Sequence, residues 1–233
     1  SLLHGDFPIL EGRKIFYKGV MGEMAAMLRG EVERVADFKK FGCNYWDSWG
    51  DENGMLALDY GRKWRNWCGV DQMKDLVTGL MTNPFGRRHI ISGWDPINVS
   101  EGHLDLPCCH LLYQWYVTSA GRLDMKWYQR SVDVMIGLPS NVIQAAIWNI
   151  LLAKECGYMP GLIHMDLADT HIYLNHLDAT EEYIRQAKEK DQEEFKGTPW
   201  TLRTQSNVWE FNPEDFQLQQ YNPASVIQFK LNV

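Results

Sequence analysis

Two stretches that read as strands, residues 110–118 and 123–129, are joined by the turn Ser119-Ala120-Gly121 and followed by a long apolar helix over 142–156 that Gly157 closes. A strand pair feeding such a helix has to bury both apolar surfaces against one another or against further elements. Strands are also expected at 89–94 and 162–165. Helices are expected over 17–30, with Val20, Met21, Met24, Met27 and Leu28 on one face, and over 71–81, with Met73, Leu76, Leu80 and Met81, ended by Asn83-Pro84. Another helix is expected over 171–182, and the charged run 181–196 reads as a solvated helix face and its loop. Strands and helices interleave without a glycine-rich phosphate loop. The expected class is therefore α+β, a mixed β-sheet with packed helices in a single domain over 1–233, and not a doubly wound nucleotide-binding fold.

A formal charge of −7 and a pI near 5.5 argue against a nonspecific nucleic-acid binder, which needs surplus Lys and Arg to displace counterions. A nucleotide substrate stays allowed, since it needs only a few local cations. Five cysteines at irregular spacing, Cys43, Cys68, Cys108, Cys109 and Cys156, suit a reducing, cytoplasmic setting better than a disulfide scaffold. No signal peptide is read at the start, and no stretch approaches the ~18 uninterrupted apolar residues of a membrane span. Ten tryptophans fit either a packed core or a site that stacks planar rings.

Two stretches carry the chemistry: Leu106-Pro107-Cys108-Cys109-His110, and Gln129-Arg130-Ser131-Val132-Asp133 running on through Gly137-Leu138-Pro139-Ser140-Asn141. Cys109 reads either as a buried structural cysteine or as a nucleophile, and a thiolate needs positive charge such as Arg130 nearby. Arg87-Arg88 reads as a surface pair or as part of a phosphate site. Glu23, set among Val20, Met21, Met24, Ala25, Ala26 and Met27, is either at a helix edge or buried in a cleft with a raised pKa suited to proton transfer.

Along nearly its whole length the chain resembles thymidylate synthases and their relatives, the pyrimidine nucleotide hydroxymethylases. The matching blocks are Arg13-Lys14-Ile15-Phe16-Tyr17-Lys18-Gly19-Val20 with Glu23, Trp46-Asp47-Ser48-Trp49, Tyr60-Gly61-Arg62-Lys63-Trp64-Arg65, and Arg87-Arg88. They continue with the two chemical stretches above, Asp169-Thr170-His171-Ile172-Tyr173, and Tyr221-Asn222-Pro223. The resemblance implies a thymidylate synthase-like fold and a Cys109 nucleophile adding to carbon 6 of a pyrimidine nucleotide, so that carbon 5 attacks a one-carbon unit carried by 5,10-methylenetetrahydrofolate. It further implies that Glu23 organises proton transfers, with Tyr60 and His110 lining the same pocket. Arg130 and Ser131 would hold the phosphate with Arg87 and Arg88 of a second subunit, which makes the protein a homodimer. Asn141 would read the pyrimidine edge, His171 and Tyr173 the ribose hydroxyl, and Gln129 and Asp133 would support base and folate. Trp46, Trp49, Leu106, Ile136, Gly137, Ser140, Asn232 and Val233 would form the folate side, with the C-terminus closing over it. No metal is implied. Asparagine at 141 favours dUMP over dCMP, because relatives using deoxycytidylate carry aspartate there.

The folate half departs from the family pattern. Ser140 stands where the synthases usually have phenylalanine, Asn232 replaces a small apolar residue, Ala26 a tryptophan, Ala168 a glycine, and Cys108 a proline or alanine. A strand and a loop bearing another phosphate-binding arginine, normal in the family ahead of Asp6-Phe7-Pro8, are absent from this sequence. Ser140 and Asn232 would wet the folate region and favour water addition, giving the hydroxymethylase of phages that rebuild their thymine. Trp46, His110 and the position of the C-terminus favour the synthase, which is the preferred reading. A remote alternative is a catalytically idle member kept for binding. A hydrolase built on Cys109-His110 would leave Arg87, Arg88, Arg130 and the Asn141 block unexplained.

Overall fold

One buried helix organises the chain. The computed structural model describes residues 2–104, 106–191 and 197–231. Its elements run α1 (Tyr17–Arg29), α2 (Val35–Lys39), α3 (Arg62–Arg65), α4 (Gln72–Thr82), β1 (Ile90–Ser92), α5 (Pro96–Ser100), β2 (His110–Val117), β3 (Arg122–Asp133), α6 (Gly137–Cys156), β4 (Met159–His171), α7 (Leu177–Lys190), β5 (Trp200–Leu202) and β6 (Phe216–Leu218). Short 3-10 turns lie at Leu2–His4, Leu174–His176 and Pro213–Asp215.

The main sheet has the order β1-β2-β3-β4, with β1–β2 and β2–β3 antiparallel and β3–β4 parallel; β5 and β6 form a separate antiparallel pair. The parallel pair follows from α6, which carries the chain back across the sheet so that β4 starts beside the start of β3. From Ile143 to Ala153 every residue of α6 is buried, because the sheet covers one side and α1 and α4 cover the other. Four tryptophans, Trp64, Trp115, Trp127 and Trp148, pack with Tyr113 in this core, Trp64 stacked on Trp148 at 4.4 Å and Trp115 edge-on to it at 5.0 Å. That cluster assigns much of the tryptophan content to packing, while Trp46 and Trp49 go to the site described below.

The opposite sheet face carries exposed apolar side chains. Strand alternation sends Tyr113, Trp115 and Val117 inward and leaves Leu112 and Tyr116 exposed, joined by Ile90 of β1 and Leu162 of β4.

The first helix was legible to its last residue: Val20, Met21, Met24, Met27 and Leu28 are buried and Gly30 adopts a left-handed φ of 73°. Helix α4 starts after Asp71, whose carboxylate accepts from the Lys74 amide, and buries Met73, Leu76, Val77 and Leu80, whereas Met81 is exposed. Other boundaries differ. Strand β1 is shorter than 89–94. Strand β3 continues past Gln129 to Asp133, and β4 covers Met159–His171 instead of 162–165, because the two hold each other in register along their length even where Asp166, Asp169 and Thr170 break the apolar pattern. His171 consequently ends a strand instead of starting a helix, and α7 runs to Lys190 after a 3-10 turn. Helix α6 begins at Gly137, so Asn141 lies inside it; Pro139 is tolerated because first-turn amides have no intrahelical acceptor. Residues 192–196 of the charged run lie outside the described residues.

Candidate active site

Cys109 sits half-buried just before β2, at the corner where β2 meets β3. The Arg130 backbone amide donates to the Cys109 carbonyl at 2.9 Å, and its side chain folds back on the same loop: Nε donates to Cys108 O at 2.9 Å and Nη2 to Pro107 O at 2.8 Å. Nη2 then stands 4.0 Å from Cys109 Sγ, with the guanidinium over the Trp94 ring. The neighbouring Cys108 is buried against Gly93 O, with its thiol pushed up to about 12 by burial. The Cys109 amide donates to Tyr60 Oη.

His110 turns into the core. Its ring lies between Tyr60 and Trp127, each centroid 4.5 Å away, and Nδ1 meets Tyr113 Oη. Burial lowers its pKa to about 3, so it is neutral at physiological pH and supports the Tyr60 ring.

Glu23 projects from α1 into an enclosed donor cluster. Tyr45 Oη donates to Oε2 at 2.6 Å, Trp46 Nε1 to Oε1 at 2.8 Å, and Gln144 Nε2 to Oε2 at 2.7 Å. Burial raises its pKa to about 7 even though the Tyr45 and Trp46 hydrogen bonds oppose the rise. The loop bearing Tyr45 and Trp46 reaches the acid because it lies against α1 at Gly22, where a Cβ would collide with the carbonyl oxygen of Phe41. Trp46 is stacked on Phe38, ring centroids 5.2 Å apart, which fixes its indole.

From Glu23 a line of amides crosses to β3. Asn141 Nδ2 donates to Gln144 Oε1 at 2.9 Å, and Gln129 Nε2 donates to Asn141 Oδ1 at 3.0 Å. Glu23, Trp46, Trp49 and Asn141 open onto a cavity of about 610 Å³. Leu106, Ile136, Gly137 and Ser140 also line it, and the C-terminal stretch covers one side with Phe229 and Leu231. That stretch returns beside the start of the chain, Ala224 N donating to Glu11 O at 2.8 Å and Tyr221 Oη accepting from Ile15 N at 3.0 Å. The Ser140 hydroxyl donates to Ile136 O at 3.1 Å, so its hydrogen is satisfied within the helix.

The remaining expected residues fall on the strand ends. Parallel register sets Ser131 opposite Asp169 and Asp133 opposite His171, whose ring meets Tyr173 edge-on at 4.9 Å. Asp133 Oδ1 accepts from the Met135 amide at 2.9 Å and does not line the cavity. Arg87 and Arg88 are exposed, and their side chains have no ion-pair partner among the described residues. Asn232 and Val233 lie outside the described residues.

Tyr45, described above, and three further residues carried no sequence assignment. Gln144 is three residues after Asn141 on α6, a spacing that puts both on one helical face and could have found it. Arg13, buried, donates to Met135 O and stacks on Phe229. His176 is buried, donates from Nε2 to Lys230 O at 2.7 Å and places Nδ1 3.8 Å from Asp133, tying the C-terminal stretch to β3. No group of three or more His, Cys, Asp or Glu side chains that could hold a metal ion occurs among the described residues, and no helix there is long and apolar enough to cross a membrane.

Cys109 thus stands beside a fixed guanidinium, while the buried acid Glu23 opens onto an aromatic cavity. The sequence model of the thymidylate synthase family matches residues 1–233, the full length given, and the chain belongs to that family. Folate-dependent one-carbon transfer to carbon 5 of dUMP is the activity of the family.

Proposed function

We propose that the protein is a thymidylate synthase, converting dUMP and 5,10-methylenetetrahydrofolate to dTMP and dihydrofolate. The observation that carries this reading is the amide line joining a base-reading Asn141 to the buried acid Glu23 on the wall of an aromatic cavity. The cavity suits a reduced folate: it is large enough for a fused planar ring, and Trp46 and Trp49 offer indoles to pack on it. The folate supplies the one-carbon unit and the hydride.

The protein's own groups divide the remaining work. The Cys109 sulfur forms a bond to carbon 6 and gives carbon 5 its nucleophilic character, then leaves as thiolate when the product is released. Arg130, beside that sulfur, holds the phosphate with Ser131. Glu23, with a pKa near neutrality, relays protons at the pyrimidine oxygen and carbon 5. Asn141 hydrogen-bonds the base, and His171 with Tyr173 the ribose. Trp46, buried and bonded to Glu23, narrows the space where water could add.

The active unit we propose is a cytoplasmic homodimer. Ile90, Leu112, Tyr116 and Leu162 are apolar side chains left exposed on the sheet, and alternation along β3 sends Arg130 toward the same face. A second copy on this face would bring Arg87 and Arg88, which have no ion-pair partner among the described residues, toward the phosphate of its neighbour.

Ser140 favours a second reading, a dUMP hydroxymethylase giving 5-hydroxymethyl-dUMP and tetrahydrofolate. Its small side chain leaves open volume on the cavity wall that a phenylalanine would fill, although its satisfied hydroxyl does not itself demand a water. Product analysis separates the two. Incubation with dUMP and 5,10-methylenetetrahydrofolate is expected to yield a methylated nucleotide and one dihydrofolate per turnover; a hydroxymethyl product without dihydrofolate would establish the alternative. Trapping with 5-fluoro-dUMP and the folate tests the class itself, since a binding-only protein forms no covalent adduct.

A further inference from the structure

We propose that Gln144, which sits behind the base-reading residue, determines which pyrimidine the site accepts by fixing the direction of the Asn141 amide; this rests on the nucleotide-site reading above. An ionised carboxylate only accepts hydrogen bonds. With Glu23 Oε2 at 2.7 Å, Gln144 has to present its Nε2 to the acid, which turns its Oε1 toward Asn141. At 2.9 Å from that oxygen, Asn141 has to present Nδ2, and its Oδ1 then accepts from Gln129. Each amide dictates the direction of the next. Gln144 is 1% exposed, so water has no room to relax the arrangement.

An amide has two hydrogens and two lone pairs, and the line uses one of each on Asn141. One N–H and one lone pair remain on a side chain that opens into the cavity. Uracil presents a carbonyl acceptor beside a ring N–H; cytosine presents an amino donor beside a ring acceptor, the reverse order. Accepting cytosine therefore requires Asn141 to turn over, which sets its Oδ1 against Gln144 Oε1 with no hydrogen between them. Gln144 cannot follow, because turning would aim its own oxygen at the carboxylate. Gln129 at the other end could turn, for its buried Oε1 has no partner to lose among the described residues. The lock therefore sits at Gln144, a specificity-determining residue that acts through Asn141 without touching the base.

The test is calorimetric binding of dUMP and dCMP to the unaltered chain and to Gln144→Met, which keeps the length and loses the polarity, in buffer alkaline enough to ionise Glu23. The preference for dUMP is expected to fall about tenfold, the scale of one lost hydrogen-bond match. Glu23→Gln removes the charge that orients Gln144 and is expected to produce the same fall, so the inference remains testable if Gln144→Met fails to fold. A purely structural role would weaken both nucleotides equally, and an unchanged dUMP-to-dCMP ratio in a folded variant overturns the inference alone. If the unaltered chain binds neither nucleotide, the nucleotide-site reading fails and this inference with it.

Discussion

Arg130 Nη2 stands 4.0 Å from the Cys109 sulfur and reaches that place while donating to the Pro107 carbonyl at 2.8 Å. The loop that carries Cys109 thus also carries the carbonyls that aim the cation. Lysine has neither the fork nor the reach to hold Cys108 and Pro107 together. Arg130→Lys is expected to weaken dUMP binding about tenfold, the scale of one lost hydrogen bond to a charged group, and an unchanged Kd by calorimetry would remove Arg130 from the phosphate site. Cys109→Ser is expected to abolish both turnover and the 5-fluoro-dUMP adduct; normal trapping by that variant would remove Cys109 from the mechanism.

Stability should carry the signature of Glu23. Its folded-state pKa of about 7 lies above the ordinary value of 4.5, so the folded chain holds this proton more tightly than the unfolded one. Its contribution is complete below about pH 4.5, declines as the pH rises toward 7, and is constant beyond, a difference of about 3 kcal/mol in total. Urea unfolding across that window is expected to show this decline in the unaltered chain and its loss in Glu23→Gln. Parallel profiles for the two proteins would mean that the acid titrates normally.

The amide at 141 can be converted to an acid that accepts from an amino group. Asn141→Asp is expected to favour dCMP over dUMP in kcat/KM and to lose stability, because it can no longer donate to Gln144. An unchanged ratio of kcat/KM values would remove Asn141 from base recognition.

The proposed dimer, with arginines supplied by the neighbouring subunit, predicts complementation. Cys109→Ser and an Arg87→Ala, Arg88→Ala double variant are each expected to be inactive. Mixed and allowed to exchange subunits, they should recover up to about a quarter of the unaltered rate, because half of the dimers then contain one intact site. No recovery, with exchange shown by mass, would place those arginines in their own chain's site or outside it.

The sequence was most readable where local and tertiary demands agree. Helix α1 shows a single apolar face ended by a glycine, and both features survive in the fold. Strand β4 was mostly missed because its regularity comes from pairing with β3 and not from its own residues, several of which are polar. At the site, the blocks bearing Cys109, Glu23, Trp46 and Asn141 could be picked out from their residues and order. Their connections could not, since Gln144 is one polar residue within an apolar run and its significance depends on an acid 121 positions away. His110, which the family resemblance set with Tyr60 along one pocket, packs against the Tyr60 ring and reaches on into the aromatic core at Trp127, a placement its adjacency to Cys109 does not reveal.

The contact at Gly22 sets a tolerance for the whole donor cluster around Glu23. Helix α1 and the loop that brings Tyr45 and Trp46 meet backbone to backbone there, with a hydrogen atom in place of a side chain. Adding one carbon would wedge the two apart and draw two donors away from Glu23 together. The acidity of the site is therefore gauged by the thickness of a single residue that takes no part in the chemistry, and drift at that position would retune the acid before it altered any group that touches a substrate.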